Sequence, residues 1–168
     1  MNLVTPNPAL HNSYCSYIEE LGSEERYPFP LDFDYSDFTS LLTRLEEFAN
    51  GINLPQGYVP SSTLWLVEND EIVGVTNIRH SLNDDIKECG GHIGLSIRPS
   101  MRGQGLGKTL MAKSIAFLHE RGVNHVHIHC YKDNAASGNT ILACGGVLDS
   151  ELFVGDKCVQ RYIVEHKS

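Results

Sequence analysis

A chain of 168 residues, 41% hydrophobic and 20% charged, has the make-up of one folded domain and excludes wholesale disorder. Its 13 Lys and Arg stand against 21 Asp and Glu, a formal charge of −8, which argues against nucleic acid as the main partner and for cationic small molecules or basic peptide segments. No stretch approaches the ~20 apolar residues of a membrane span, the opening residues lack the basic and apolar regions of a secretory signal, and Cys15, Cys89, Cys130, Cys144 and Cys158 form no CxxC pair, so reduced thiols in a cytoplasm are expected.

In chain order, Asn12 to Leu21 places Tyr14, Tyr17, Ile18 and Leu21 at helical spacing, with Gly22 as the stop. A second helix is expected from Ser36 to Ala49, with Phe38, Leu41, Leu42, Leu45 and Phe48 on one stripe, and Pro28, Pro30, Pro55, Gly57 and Pro60 mark loops around it. Thr63–Glu68 and Glu71–Arg79 read as a hairpin about Asn69-Asp70, and His92–Arg98 as a third strand ended by Pro99. Gly105–Arg121 is a long amphipathic helix closed by Gly122. Val123–Tyr131 is a strand, Ala135–Ala143 a short helix stopped by Gly145-Gly146, and Val147–Val154 with Cys158–Val164 a closing hairpin. The expected fold class is mixed α/β of the α+β type, one domain over 1–168 with a mostly antiparallel sheet flanked by helices, and not a doubly wound nucleotide fold.

The most informative stretch runs from Ile97 to Thr109, where a strand ends at proline, glycines follow and a helix begins. Glycine lets backbone approach a ligand closely, and the first N–H groups of a helix are unpaired at the positive end of its dipole, so the pattern is an anion site suited to phosphate. It is not a P-loop, whose first glycine would fall at Arg102, nor a dinucleotide fingerprint, which would need glycine at Lys108 or Leu110. Arg102-x-x-Gly105-x-Gly107 after strand and proline instead resembles the coenzyme A signature of the GNAT superfamily of N-acetyltransferases. Asp133 to Ser137, through Ile141 to Gly145-Gly146, resembles that family's second signature, so the likeness covers about residues 62–165, with 1–61 as the variable N-terminal helical part, including a short first strand.

The resemblance implies an acetyl-CoA-dependent N-acetyltransferase acting on a small-molecule or peptide amine, with acetyl-CoA as co-substrate and no metal; a homodimer is compatible with it. The diphosphate would lie on Gly103, Gln104, Gly105, Leu106, Gly107 and Lys108, with Arg102 and Lys108 adding charge, the pantetheine arm on Leu95, Ser96 and Ile97, and Asn134 bonding coenzyme or capping its helix. Relatives that carry a base five residues before the motif asparagine have it where this chain has His129; His92 is a second candidate. The tyrosine that protonates the leaving thiolate in many members is replaced by Ile141, leaving Ser137, Tyr131 or Cys144 as donors. That departure admits a rival, a coenzyme-binding sensor without turnover. His125, His127 and His129 share one strand face, which by itself suits a metal such as zinc but has no completing ligand nearby; Cys130 as an acyl carrier is disfavoured because it faces the opposite side from His129. For the acceptor, Tyr27, Phe29, Phe33, Tyr35, Tyr58 and Trp65 with Glu24, Glu25, Asp32, Asp34 and Asp37 suit a cationic amine, while Asn77, Arg79 and His80 suit a carboxylate.

Overall fold

Asn69 and Asp70 both adopt positive φ, 52° and 61°, which matches the right-handed twist of two strands joined by a two-residue turn. They connect β2 (Ser61–Glu68) to β3 (Glu71–Arg79), the centre of a four-stranded antiparallel sheet completed by β1 (Asn2–Val4) and β4 (Ile93–Ile97) in the order β1-β2-β3-β4. A second antiparallel sheet, in the order β5-β7-β6, is made of β5 (His125–Tyr131), β6 (Val147–Val154) and β7 (Lys157–Glu165). The helices are α1 (His11–Leu21), α2 (Phe38–Asn50), α3 (Asp84–Glu88), α4 (Leu106–Glu120) and α5 (Ala135–Ala143). The computed structural model describes residues 1–167.

Strand alternation sends neighbouring residues of β2 to opposite faces. Trp65 goes to the side covered by α1 and α2, where it is fully buried and stacks on Tyr14 with ring centroids 5.2 Å apart. Leu66 goes to the other side, against Leu106 and Leu110 of α4. Trp65 is therefore a core residue and is removed from the expected acceptor pocket. The same helix α4 spans both sheets, with Met111, Ile115 and Leu118 packing with Ile78 and Ile93 of the first sheet and Val126 and Ile128 of the second. Inside this layer the Ser114 hydroxyl donates to the Leu110 carbonyl at 2.8 Å and meets Thr76 Oγ1 at 2.9 Å, so two buried hydroxyls are satisfied where helix crosses strand.

Helix ends fall close to their expected positions because the caps are local. Asp37 Oδ1 accepts from Ser40 N at 3.2 Å and starts α2, a cap of the kind worth about 1 kcal/mol, and Gly51 closes the helix at φ 70°. Periodicity does not mark β1 or α3, which have three and five residues and are too short to show a period. β1 is a strand because β2 offers it an edge, with Asn2, Leu3 and Val4 opposite Val67, Leu66 and Trp65.

The two sheets meet at one corner only. Gly91 and Ile128 form a single bridge, His92 N donates to the His127 carbonyl at 2.7 Å, and His127 N donates back to His92 Nδ1 at 2.9 Å. Beyond that corner no ladder joins β4 to β5, and the strands splay apart.

Candidate active site

The splay opens into a cleft of about 940 Å³. At its wide end stands the start of α4. Gly103 and Gly105 sit at φ 78° and 80°, the left-handed region that lets the chain turn sharply from the proline after β4 into the helix. No side chain caps α4, and no protein group accepts from the N–H groups of residues 103–108 among the described residues. A β-carbon placed at 103, 105 or 107 would meet nothing within 4 Å. An uncapped helix start facing open space is the local chemistry a diphosphate needs, and these residues fit one. Gly103, Gly105, Leu106, Gly107 and Lys108 line the cleft; Gln104, expected with them, does not. Arg102 also lines it, but its guanidinium is committed, donating from Nη2 to Glu24 Oε1 at 2.9 Å and from Nε to the Ile97 carbonyl at 3.0 Å. That leaves Lys108, with no carboxylate within 4 Å, as the free cation of the turn among the described residues.

Along the cleft, β4 contributes Leu95, Ser96 and Ile97, the three residues expected to carry the pantetheine arm, and Ser96 Oγ bonds the buried Tyr17 hydroxyl at 2.6 Å. The opposite wall is Cys130 and Tyr131 of β5 with Asn134 just before α5 and Ser137 and Thr140 within it. Asn134 Oδ1 accepts from Ser137 N at 3.1 Å, so its side chain caps α5. The Ser137 hydroxyl interacts with the Cys130 thiol, which burial holds above its ordinary pKa. Ile141, the position of the missing tyrosine, is fully buried beneath the helix and cannot face a ligand.

The narrow end joins residues from three segments: Tyr27, Cys89-Gly90 and His129. The Tyr27 ring is half exposed, but its hydroxyl end is buried against β4, where a β-carbon on Gly94 would lie 2.8 Å from it. Burial raises its pKa, so it stays a neutral O–H donor. His129 Nδ1 accepts from Gly90 N at 2.9 Å; the ring proton is therefore on Nε2, which is buried without a partner. Burial, then the neighbouring His127, depress the His129 pKa to about 4, and the same two causes bring His92 to about 4. His92 is buried in the corner between the sheets and does not line the cleft. Neither ring has a free lone pair to take a proton, and both act as rivets: each accepts a backbone N–H that holds the sheets' corner together. Both expected bases thus have a different setting from the one the sequence implied, because burial next to another histidine disfavours the charged form.

The rest of the expected acceptor wall divides. Phe33, Asp34, Asp37, Phe48 and Tyr58 line a separate cavity of about 390 Å³ with Arg44. Asp34 and Asp37 are engaged with the backbone N–H groups of Ser36 and Ser40, and Tyr35 packs on the core edge to face with Tyr14. Glu24 and Glu25 line the large cleft instead. Among the described residues no group of three or more His, Cys, Asp or Glu side chains is placed to hold a metal ion. Cys89 and Gly90 carry no sequence signal as site residues, and Tyr27, expected in an acceptor wall, meets them only through the fold.

The comparisons with known proteins agree on the architecture. A chimera of the spermidine N-acetyltransferase SpeG from Vibrio cholerae and hSSAT superposes with a TM-score of 0.67 at 11% identity, over 98% of this chain and 96% of that one. An acetyltransferase from Salmonella typhimurium that modifies the N-terminal serine of a 50S ribosomal subunit protein gives 0.68 at 14% identity, over 98% and 94%. A GNAT-family acetyltransferase from Streptococcus pneumoniae gives 0.65 at 13%, over 98% of each chain. No curated protein sequence matches. The model of the acetyltransferase (GNAT) family matches residues 16–145, most of the chain and both signature segments, and the chain belongs to that family.

Proposed function

We propose that this acetyltransferase moves an acetyl group from acetyl-CoA to the primary amine of a small molecule or a peptide by direct attack on the thioester. The observation that carries the reading is the row of unaccepted N–H groups at 103–108, opening onto a cleft whose far end holds the Tyr27 phenol. The helix start and Lys108 hold the diphosphate, and Leu95, Ser96 and Ile97 present the free edge of β4 to the amides of the arm. This puts the thioester at the narrow end.

There the amine nitrogen attacks the carbonyl carbon, the C–N bond forms and the C–S bond breaks. We assign Tyr27 as the donor that protonates the departing sulfur; the phenol recovers its proton from solvent, which receives the one the amine loses. Tyr27 replaces the helix tyrosine that Ile141 lacks, from a different element. His129 and His92 are positioning residues that fix the Gly90–His92 backbone, and Ser137 acts through the Cys130 thiol it touches. With no histidine lone pair free, the acceptor reacts as its neutral amine.

Calorimetry with acetyl-CoA tests the reading: saturable binding is expected, and none at millimolar ligand overturns it. The buried Ile141 favours one alternative, a sensor that binds the coenzyme without turning it over. Thiol release across a panel of amines separates the two, because a sensor gives binding with no release.

A further inference from the structure

Of the three residues the sequence offers for an acidic acceptor, two are spent inside the protein. Asn77 is buried and its Nδ2 donates to Ser61 Oγ at 3.1 Å and Thr63 Oγ1 at 3.2 Å. His80 Nε2 pairs with Ser62 Oγ at 2.7 Å. Arg79, the last residue of β3, is different. Its guanidinium is half-buried and makes one hydrogen bond, from Nη1 to the Gly91 carbonyl at 2.9 Å. No carboxylate lies within 4 Å of it among the described residues, although the chain carries a formal charge of −8. Tyr27, Tyr58 and Cys89 stand near it, His92 and His129 also feel its charge, and burial pulls its pKa down.

An arginine stays charged whatever its surroundings, so a half-buried guanidinium without a counter-ion carries a cost unless something supplies the anion. The place where it stands says what that is. A β-carbon on Gly90 would lie 3.0 Å from Arg79 Nη1, and Gly90, Cys89 and Tyr27 are the wall of the cleft's narrow end. The planar fork of arginine matches a carboxylate with two parallel hydrogen bonds.

We infer that Arg79 binds a carboxylate of the acceptor, so that the substrate class is amines that carry a nearby carboxylate, amino acids foremost, rather than polyamines. A polycation would meet the unpaired guanidinium as a like charge. The inference rests on the acetyltransferase reading and narrows it.

The test uses matched trios: L-lysine, L-lysinamide and cadaverine; L-methionine, L-methioninamide and 3-(methylthio)propylamine; with spermidine beside them. Thiol release from acetyl-CoA is expected to give the acid of the trio that fits the cleft a kcat/KM about tenfold or more above its amide and its decarboxylated amine. Arg79→Gln is expected to erase that gap, and Arg79→Lys to keep part of it. Equal or better turnover of the amide, the decarboxylated amine or spermidine overturns the inference while the acetyltransferase reading stands, and so does a gap that survives Arg79→Gln. A second readout needs no turnover: calorimetric binding of N-acetyl-L-methionine and N-acetyl-L-lysine against their amides. Preference for the acid that disappears in Arg79→Gln, in a protein that neither binds acetyl-CoA nor releases thiol, sinks the acetyltransferase reading and leaves the carboxylate site. Absence of both sinks both.

Discussion

At the wide end of the cleft the groups offered to a ligand are backbone N–H groups of one continuous stretch, residues 103–108, held by two left-handed glycines and a helix. At the narrow end they are side chains from distant parts of the chain, Tyr27, Cys89 and His129, with Arg79 behind Gly90 and bonded to the Gly91 carbonyl. The first device grips any group with the right charge and shape. The second, in the proposed function, would set which bond is made and to what. One end can therefore be ruined without touching the other, and the largest effect belongs to the grip.

Gly107 has open space around it and no positive φ. Gly107→Asp puts a carboxylate into the first turn of α4, where it suits the helix dipole and raises helix stability by about 0.3–1 kcal/mol. In the proposed function the same carboxylate would face the diphosphate. Coenzyme A affinity is expected to fall about 100-fold or more, the loss of several charge-assisted hydrogen bonds, while the thermal midpoint holds or rises. Retained affinity in this variant would remove the grip from residues 103–108.

The same contrast governs what could be read before the fold was known. The grip is a local pattern, and proline, glycines and a helical period sit side by side in the sequence from Pro99 to Lys108. The fold class follows from similar local signals: a turn at Asn69-Asp70, glycine stops at Gly22 and Gly122, a long amphipathic α4. The narrow end has no such signature. Tyr27 and Gly94 are 67 positions apart in number yet nearly touch. His129 could be located by counting from Asn134, but its protonation state depends on the Gly90 N–H and on His127, and counting gives neither. Trp65 and Arg79 show the limit from the other side: aromatic and cationic residues look alike in a sequence whether the fold buries them in the core or sets them beside the cleft.

The next effect down separates chemistry from grip. Tyr27→Phe keeps the ring and removes the proton donor. A fall in kcat of roughly 100-fold is expected, within the usual range for losing a general acid, with coenzyme A affinity unchanged. Gly94→Ala reaches the same hydroxyl from the other side, because the new methyl would lie 2.8 Å from it. Its loss in kcat is expected to be smaller, since Tyr27 is on a loop that can shift, and to vanish in the Tyr27→Phe background. Additive losses would mean that the two positions act separately. With no histidine base, kcat/KM for the acceptor should rise about tenfold per pH unit below the amine pKa. A break near pH 6.5 that disappears in His129→Asn would restore His129 as the base.

The histidine corner has its own signature, in stability rather than rate. His92 and His129 bind protons at about pH 4 in the folded chain and near 6.5 when unfolded. Between those values the unfolded chain takes up protons that the folded chain refuses. The stability from these rings is thus complete above about pH 6.5 and drains away as pH falls toward about 4. Urea midpoints from pH 7.5 to pH 4.5 are expected to show this decline. Asparagine at either position keeps an oxygen near the Nδ1 site to accept the backbone N–H but does not titrate, so His92→Asn and His129→Asn should flatten the pH dependence whatever they do to absolute stability.

The smallest effect is the one the signature motif makes least intuitive. Arg102 stands in the coenzyme pattern as its cation, yet its guanidinium is bonded to Glu24 at 2.9 Å and to the Ile97 carbonyl, with both ion-pair partners 46% exposed. An exposed pair of this kind is worth about 0.2–1 kcal/mol, so breaking it barely moves the fold. A guanidinium already holding a carboxylate also has little charge left for a phosphate. Arg102→Ala should therefore weaken coenzyme A binding only about threefold, an amount in keeping with a screened rim charge. Lys108→Ala should cost more, because Lys108 has no competing partner. Glu24→Gln provides the counter-measurement: if Glu24 restrains Arg102, freeing it should tighten coenzyme A binding, and Arg102→Ala should abolish that gain. A tenfold loss in Arg102→Ala alone would mean instead that the arginine leaves Glu24 when the diphosphate arrives, which would make the wide end, like the narrow one, dependent on a side chain.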